Sequence, residues 1–270
     1  MATQNLARLI LTMVALLLAA GVESDSQTPE KPVNASGARV PVVLELFTSE
    51  GCSSCPPADA LLAKLAEQQP VAGAEIIAIE EHVDYWDQQG WVDPFSSSQW
   101  TERQKVYAAG FADHGVYTPE LIVNGGGGLV GSHEGDTFRA IASAAAKPRT
   151  EISVSVLPTE KRGHERLRVE VGKIAGGQSG DTTEIWLAIT ESALHSAVSG
   201  GENAGHELHH APVLRWLRKA GTANGATAFS GESDVKLDSG WKRKNLRAVA
   251  FLQEKRSRRI LGAAAIAFEP

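Results

Sequence analysis

The sequence predicts an α/β domain followed by an all-β, sandwich-like domain, and three observations carry that reading. The only two cysteines stand together as Cys52-Ser53-Ser54-Cys55, between a strand pattern and a helix pattern. Strand-length apolar runs alternate with helical patterns as far as Lys147. Beyond Thr150 the chain turns to alternating strand patterns separated by polar, Gly-containing turns, which is the signature of a β-sandwich.

The elements follow in order. Val42-Val43-Leu44-Glu45-Leu46-Phe47 is a short, β-branched and apolar run that reads as a buried strand. Pro56 to Glu67 has apolar residues at helical spacing and Pro in its first turn, where a missing N–H costs nothing. Strand, Cys-x-x-Cys, helix is the thioredoxin arrangement. Ala74 to Glu80 reads as a second buried strand, parallel to the first because a helix separates them. The stretch from His82 to Gly115 is too long for a simple connection and holds Tyr85, Trp86, Trp91, Trp100 and Tyr107, with a helix expected over Ser98 to Phe111. Val116 to Gly125 is a strand opened by Pro119 and closed by an Asn-Gly turn, Gly128 to Gly131 its return strand, and Asp136 to Lys147 an Ala-rich helix capped by Asp136. The order β-α-β-α-β-β-α makes residues 38–147 an α/β thioredoxin-like domain. Residues 150–270 are expected to form the sandwich from strands at Glu151 to Leu157, Arg166 to Val171, Glu184 to Thr190, Val213 to Arg218, Leu246 to Gln253 and Arg259 to Phe268.

The N-terminus reads as a secretory signal over residues 1–20. Arg8 is its single charge, Leu9 to Ala20 is apolar apart from Thr12, and Ala19-Ala20-Gly21 supplies small residues for cleavage. Residues 21–37 read as a polar, disordered leader. The expectation is an exported protein, periplasmic or extracellular, with no membrane span after cleavage. That compartment lets a disulfide persist. Removing residues 1–20 takes the net charge from −6 to −7, which argues against nucleic acid and anionic membrane surfaces as partners.

The chemistry centres on the cysteine pair. A helix start presents unpaired N–H groups and the positive end of its dipole. Cys52 placed there would have a lowered pKa and act as the attacking thiolate, with Cys55, inside the helix, as the resolving thiol. A structural disulfide this local would constrain the unfolded chain little. A zinc site on the pair needs two further ligands, and no second Cys-x-x-Cys or Cys-His pair exists. His206-Glu207-Leu208-His209-His210 matches the zinc-protease pattern, but that chemistry needs a helix, and Gly205 and Pro212 flank a segment that reads as strand. Gly125 to Gly128 lack the Gly-Lys-Ser/Thr of a phosphate loop. No cofactor and no metal are therefore expected.

The stretch from Leu44 to Asp59 resembles the opening of the secreted, thioredoxin-like domain-of-unknown-function family 1223. His82-Val83-Asp84-Tyr85-Trp86-Asp87, Tyr117 to Gly125, Gly201-Glu202-Asn203-Ala204-Gly205 and Leu261-Gly262-Ala263-Ala264 match the same pattern. The resemblance implies a thioredoxin fold and export, and no particular reaction. The thioredoxin likeness further implies that Pro119 is a cis-proline facing the cysteines and that Thr118 offers its backbone to a substrate strand. The chain departs from thioredoxins in carrying Ser-Ser between the cysteines, a dipeptide that helps set the potential. His82, Asp84 and Trp86 follow the second strand at its carboxyl end, where open α/β sheets place their sites, and are candidates for a shell around Cys52.

The expected activity is thiol–disulfide exchange on a protein or small-thiol substrate, with a further redox partner to recycle the pair. The competing reading is a non-enzymatic binding or assembly module whose cysteines form a static disulfide or, with His82, a copper or zinc handle.

Overall fold

The computed structural model describes residues 39–111, 115–178, 180–223 and 228–268. The expected signal segment and leader lie outside the described residues.

The first half begins as the pattern predicts. Strand β1 (Val40–Thr48) leads through the cysteine loop into helix α1 (Pro56–Gln68), and strand β2 (Ala74–His82) pairs parallel to β1 in register Val40↔Ala74 to Thr48↔His82. Ala58, Leu61, Leu62 and Leu65 recur at i, i+3, i+4 and i+7, so α1 buries one stripe. Gln69 ends the helix in the left-handed conformation, its N–H on Leu65 O. Helix α2 (Ser98–Gly110) is capped by Ser97, whose hydroxyl accepts from Gln99 N. Strands β3 (Glu120–Val123) and β4 (Gly128–Val130) form a hairpin with the Asn124-Gly125 turn between them. Helix α3 (Glu134–Ala145) starts two residues before the expected Asp136 cap, after His133, and keeps Glu134 and Asp136 in its first turn, where the helix dipole favours acids.

The second half supplies β5 (Ile152–Leu157), β6 (His164–Val171), β7 (Thr183–Glu191), β8 (His195–Ala197), β9 (Glu207–His209), β10 (Val213–Ala223), β11 (Phe229–Lys236), β12 (Leu246–Glu254) and β13 (Ile260–Ala267). Strands β8, β9 and β11 have no counterpart in the expected pattern. In β11, Phe-Ser-Gly-Glu-Ser-Asp-Val-Lys, Val235 alone is buried, so the segment carries almost no apolar signal.

The expected thioredoxin-like α/β domain followed by a separate all-β sandwich is not the fold. Eight strands from both halves form one mixed sheet in the order β13-β12-β7-β10-β2-β1-β3-β4, and three helices accompany it among the described residues. The join is a short parallel pairing of β10 with β2, Val213 opposite Glu80, with Glu80 N donating to Pro212 O at 2.9 Å. Residues Ala38–Pro270 form one compact unit.

The sheet folds over at that join. One face of β1 and β2 (Val42, Leu44, Leu46, Ile76) packs on α1 and α3. The other face (Val43, Ile77, Ile79) packs on Ala188, Val249, Phe251 and Ala263 of the β7–β12–β13 half, together with Trp100. The far face of that half (Ile185, Leu187, Ile189, Leu252) packs on the three-stranded sheet β11-β6-β5. Strands β1, β2, β7 and β12 therefore bury both faces, which is why β7 and β12 read as continuous apolar runs. Among the described residues, no helix is long and apolar enough to cross a membrane.

Candidate functional site

The cysteine loop sits at the carboxyl end of β1. Cys52 and Cys55 are joined by a disulfide with Cα atoms 5.4 Å apart. Helix α1 starts at Pro56, so Cys55 holds the N-cap position and Cys52 lies in the turn before it, where the sequence places Cys52 at the helix start and Cys55 inside. Cys55 N donates to Cys52 O at 3.2 Å, and Ala58 N and Asp59 N both donate to Cys55 O. Pro56 and Pro57 carry no N–H, so this helix start offers fewer free donors than most. Ser53 and Ser54 are exposed, while both cysteines are 0 % exposed.

A strap from the second half covers the loop. The β8–β9 hairpin carries residues 198–206 across it. Asn203 Nδ2 donates to Glu50 O at 2.8 Å and to Cys52 O at 3.0 Å, and Ser53 N donates to Glu202 Oε2 at 3.0 Å. The strap also lies on the Gly90–Trp91 turn. A Cβ at Gly200 would fall 2.2 Å from Gly90 O, and Gly201 holds a φ of +69° against Trp91, so neither position has room for a side chain.

The residues predicted around Cys52 have separate fates. Trp86 Cβ would lie 3.1 Å from a Cβ at Gly51, and Trp86 Nε1 donates to Thr118 Oγ1 at 2.9 Å, so the indole bridges the cysteine loop and the Thr118–Pro119 turn. The Thr118–Pro119 peptide is cis. Pro119 is buried, and Gly131 holds the pocket between its ring and Ala58 of α1, two atoms that a Cβ there would meet at 3.4 and 3.1 Å. Asp84 faces away: it accepts from Thr101 Oγ1 at 2.6 Å and anchors its loop to α2. Trp100 belongs to the central core, Trp91 donates to Glu50 Oε2 at 2.7 Å, and Trp86 packs with Tyr85 in a smaller cluster with Phe47, Val83, Tyr107 and Ile122.

His82 lies one layer down, in a buried polar cluster at the join of the two halves. Its Nδ1 is 2.7 Å from Asp93 Oδ2 and its Nε2 is 3.1 Å from Glu80 Oε1. His210 Nδ1 meets the same Glu80 Oε1 at 3.1 Å, and His210 Nε2 meets Glu50 Oε1 at 2.9 Å. Asp93 Oδ2 also accepts from Glu50 N at 2.8 Å, which ties the cluster to the loop that carries Cys52. Burial alone would push both histidines down, yet Asp93 and Glu80 hold His82 well above the usual histidine value, and the bonds to Glu50 and Glu80 hold His210 at about 9. Burial opposes ionisation of Glu80, but the two histidines keep its pKa below the usual carboxylate value. Nearby, Asp59 is pushed up to about 8 by burial and by Glu80, against the hydrogen bond it accepts from Thr48 Oγ1 at 2.6 Å.

Sequence reasoning names His82 and misses Glu50, Asp59, Glu80, Asp93, Asn203 and His210 as site residues. One local signal was present: Glu80-Glu81-His82 closes a strand whose middle, Ile76 to Ile79, is wholly apolar, and charges are buried only with partners. The His-Glu-x-x-His match falls on strand β9, with His206, Glu207 and His209 exposed and His210 alone turned inward.

Known proteins resemble the chain at the level of fold. A structural-genomics crystal structure of a protein from Agrobacterium tumefaciens is 24 % identical, covers 86 % of this chain and 96 % of its own, and superposes with a TM-score of 0.63. HBP35 of Porphyromonas gingivalis is 13 % identical, covers 86 % of this chain and 77 % of its own, with a TM-score of 0.60. No curated protein matches. The model of the family described as "Protein of unknown function (DUF1223)" matches residues 43–253, most of the chain and both halves of the sheet, and the chain belongs to that family.

Proposed function

We propose that the protein is an exported thiol–disulfide oxidoreductase working through Cys52 and Cys55. The observation that carries this reading is the disulfide itself, made by the only two cysteines of the chain at a strand-to-helix junction. The apolar run Leu9 to Ala20 supports export to a compartment where such a bond persists.

In the oxidising direction a substrate thiolate attacks Cys52 Sγ. The Cys52–Cys55 bond breaks, a mixed disulfide forms, and Cys55 leaves as a thiolate that takes up a proton. A second substrate thiolate then attacks the substrate sulfur of the mixed disulfide and releases Cys52. Two electrons pass from the substrate to the pair, and a redox partner removes them. The same steps reversed reduce a substrate disulfide, with Cys52 as the attacking thiolate. Thr118 and Pro119 shape the groove for a protein or small-thiol substrate, and Trp86 holds that turn against the cysteine loop. The strap must lift for either direction to run, since both sulfurs are covered.

That burial favours a second reading, in which the disulfide is static and the protein is a binding or assembly module. The reduction potential separates the two. A catalytic pair equilibrates with glutathione or dithiothreitol buffers at a potential above about −300 mV, and after reduction Cys52 is alkylated before Cys55. A potential below that value, with equal and slow labelling of both thiols, would establish the static bond.

A further inference from the structure

Two histidine nitrogens and a carboxylate meet at the join between the two halves of the sheet. His82 Nε2 and His210 Nδ1 each lie 3.1 Å from Glu80 Oε1. The three groups can place one ligand atom each within 4.8 Å of one another, and the imidazole rings stand 4.9 Å apart at 75°.

Their outer contacts are those of a metal site. The opposite nitrogen of each ring is held by a separate carboxylate, His82 Nδ1 by Asp93 at 2.7 Å and His210 Nε2 by Glu50 at 2.9 Å. A carboxylate at one ring nitrogen keeps the proton on that nitrogen. The outer carboxylate holds that proton in place, and a cation binds by displacing the proton of the inward nitrogen, which now faces Glu80 Oε1. Glu80 is 0 % exposed, and its second oxygen, Oε2, is buried with no hydrogen-bond partner among the described residues. An unpaired buried carboxylate oxygen is costly, and a cation bound through the Glu80 carboxylate removes that cost.

We propose that Glu80, His82 and His210 form a binding site for a divalent transition-metal ion of the zinc class. Two imidazoles and a carboxylate suit zinc and its first-row neighbours, whereas magnesium and calcium take oxygen shells. Zinc bonds of about 2.0–2.2 Å place neighbouring tetrahedral ligands about 3.3 Å apart, close to the 3.1 Å that separates Glu80 Oε1 from each histidine nitrogen, with all three ligand atoms within 4.8 Å. His210 also lines a surface cleft of about 530 Å³ with Ala63, Glu67, Leu194, His195 and His209, while Glu80 and His82 lie behind it. The site uses neither sulfur, so it stands apart from the redox reading. Through Glu50 and Asp93 it braces the loop that carries Cys52.

The test uses the full chain with its disulfide intact, stripped of metal by a chelator in denaturant and refolded with Zn²⁺ or Co²⁺, so that burial cannot hide the site. The expected result is one ion per chain retained through gel filtration. The cobalt form should show the visible bands of a low-coordinate nitrogen–oxygen site, without thiolate-to-metal charge transfer, and should be unchanged in the Cys52→Ser/Cys55→Ser protein. His210→Gln should lose binding by at least about 100-fold, and Glu50→Gln, which touches only the outer nitrogen, by about 10- to 100-fold. If the buried variants do not fold, X-ray absorption on the wild-type cobalt form decides by its count of imidazoles, with two expected. Failure of the refolded wild-type chain to retain an ion, dependence of binding on the cysteines, or undiminished binding in folded His210→Gln would each overturn the site.

Discussion

Asn203 holds Cys52 by its backbone, with Nδ2 3.0 Å from Cys52 O and 2.8 Å from Glu50 O, across 151 positions of sequence. The side chain is buried and ties the strap to the backbone of the cysteine loop at the end of β1. Both cysteines are 0 % exposed, and on the redox reading proposed above opening of this strap is the step that uncovers them.

Asn203→Ala removes both bonds, so Glu50 O loses this donor and Cys52 O keeps the one from Cys55 N. Such a loss costs about 1–3 kcal/mol, most of it spent on closing the strap rather than on the core. Reduction of the disulfide by dithiothreitol should quicken by about tenfold for each 1.4 kcal/mol of strap closure lost. Stopped reactions analysed by thiol labelling measure the rate, and urea unfolding measures the global stability. A rate unchanged from wild type would show that the strap already opens freely.

Glu202→Gln should move the potential. The Glu202 carboxylate accepts from Ser53 N, inside the Cys-x-x-Cys turn, and hydrogen bonding to Ser53, by its side chain first and then by its backbone N–H, lowers the Glu202 pKa. A negative charge there disfavours a thiolate on Cys52. The neutral amide keeps an acceptor oxygen but removes the charge, so the reduced pair gains stability and the potential rises. Glutathione redox titration checks the direction.

The two halves should unfold as one. A fragment of residues 38–147 exposes the edge of β2 and the face formed by Val43, Ile77 and Ile79. At about 1.5–3 kcal/mol for each such side chain, that face alone is of order 5–9 kcal/mol, comparable to the whole stability of a typical domain. The fragment should show no sharp near-ultraviolet circular dichroism and no cooperative transition. In the full chain, Gly125→Ala should lower the stability of both halves together. Gly125 has a φ of +69°, and a Cβ there would lie 1.8 Å from Arg258 O in the β12–β13 turn. A folded, monomeric fragment would mean that the continuous sheet is not required for the first half.

What was legible in the sequence is what is local. Val42 to Phe47 falls within β1, the Pro56 helix runs as its apolar spacing requires, and Asn124-Gly125 makes the hairpin turn. Strand pairing across the chain leaves no such trace. The register that joins β10 to β2 rests on one residue pair 133 positions apart, Val213 with Glu80. Without it the second half reads as a separate sandwich, because β7 and β12 show their two buried faces only as apolar runs. The cluster at the join is hidden for the same reason. Glu80 and His82 are visible as charges ending a buried strand, but their partner His210 lies at the end of a segment whose motif points to a different geometry.

Arg103 ties the halves together a second time, and its removal gives a stringent test of the core. It extends from α2 into the space between β1, β2 and β12, with its side chain 10 % exposed. Its guanidinium donates to Glu45 Oε1, with Nε at 2.7 Å, and approaches Glu81 Oε1 at 3.5 Å. Nη2 also reaches Tyr107 Oη at 3.2 Å and Gln253 Oε1 at 3.4 Å, and the cation stands over the rings of Tyr107, Trp186 and Phe251 at 5.2–5.6 Å. Arg103→Met fills much of the volume but leaves the buried Glu45 without its cation, beside a Glu81 whose pKa burial and Glu45 already push well above the usual carboxylate value. Breaking a buried pair from one side costs about 3–5 kcal/mol, so the midpoint of urea unfolding should fall sharply while the slope stays the same. Lysine should rescue little, because a point charge cannot make the planar, two-nitrogen contact with Glu45. Adding Glu45→Gln and Glu81→Gln to Arg103→Met should recover part of the loss, since the cost is that of uncompensated charge. Equal instability of the single and triple variants would instead assign the whole effect to lost packing against Trp186 and Phe251.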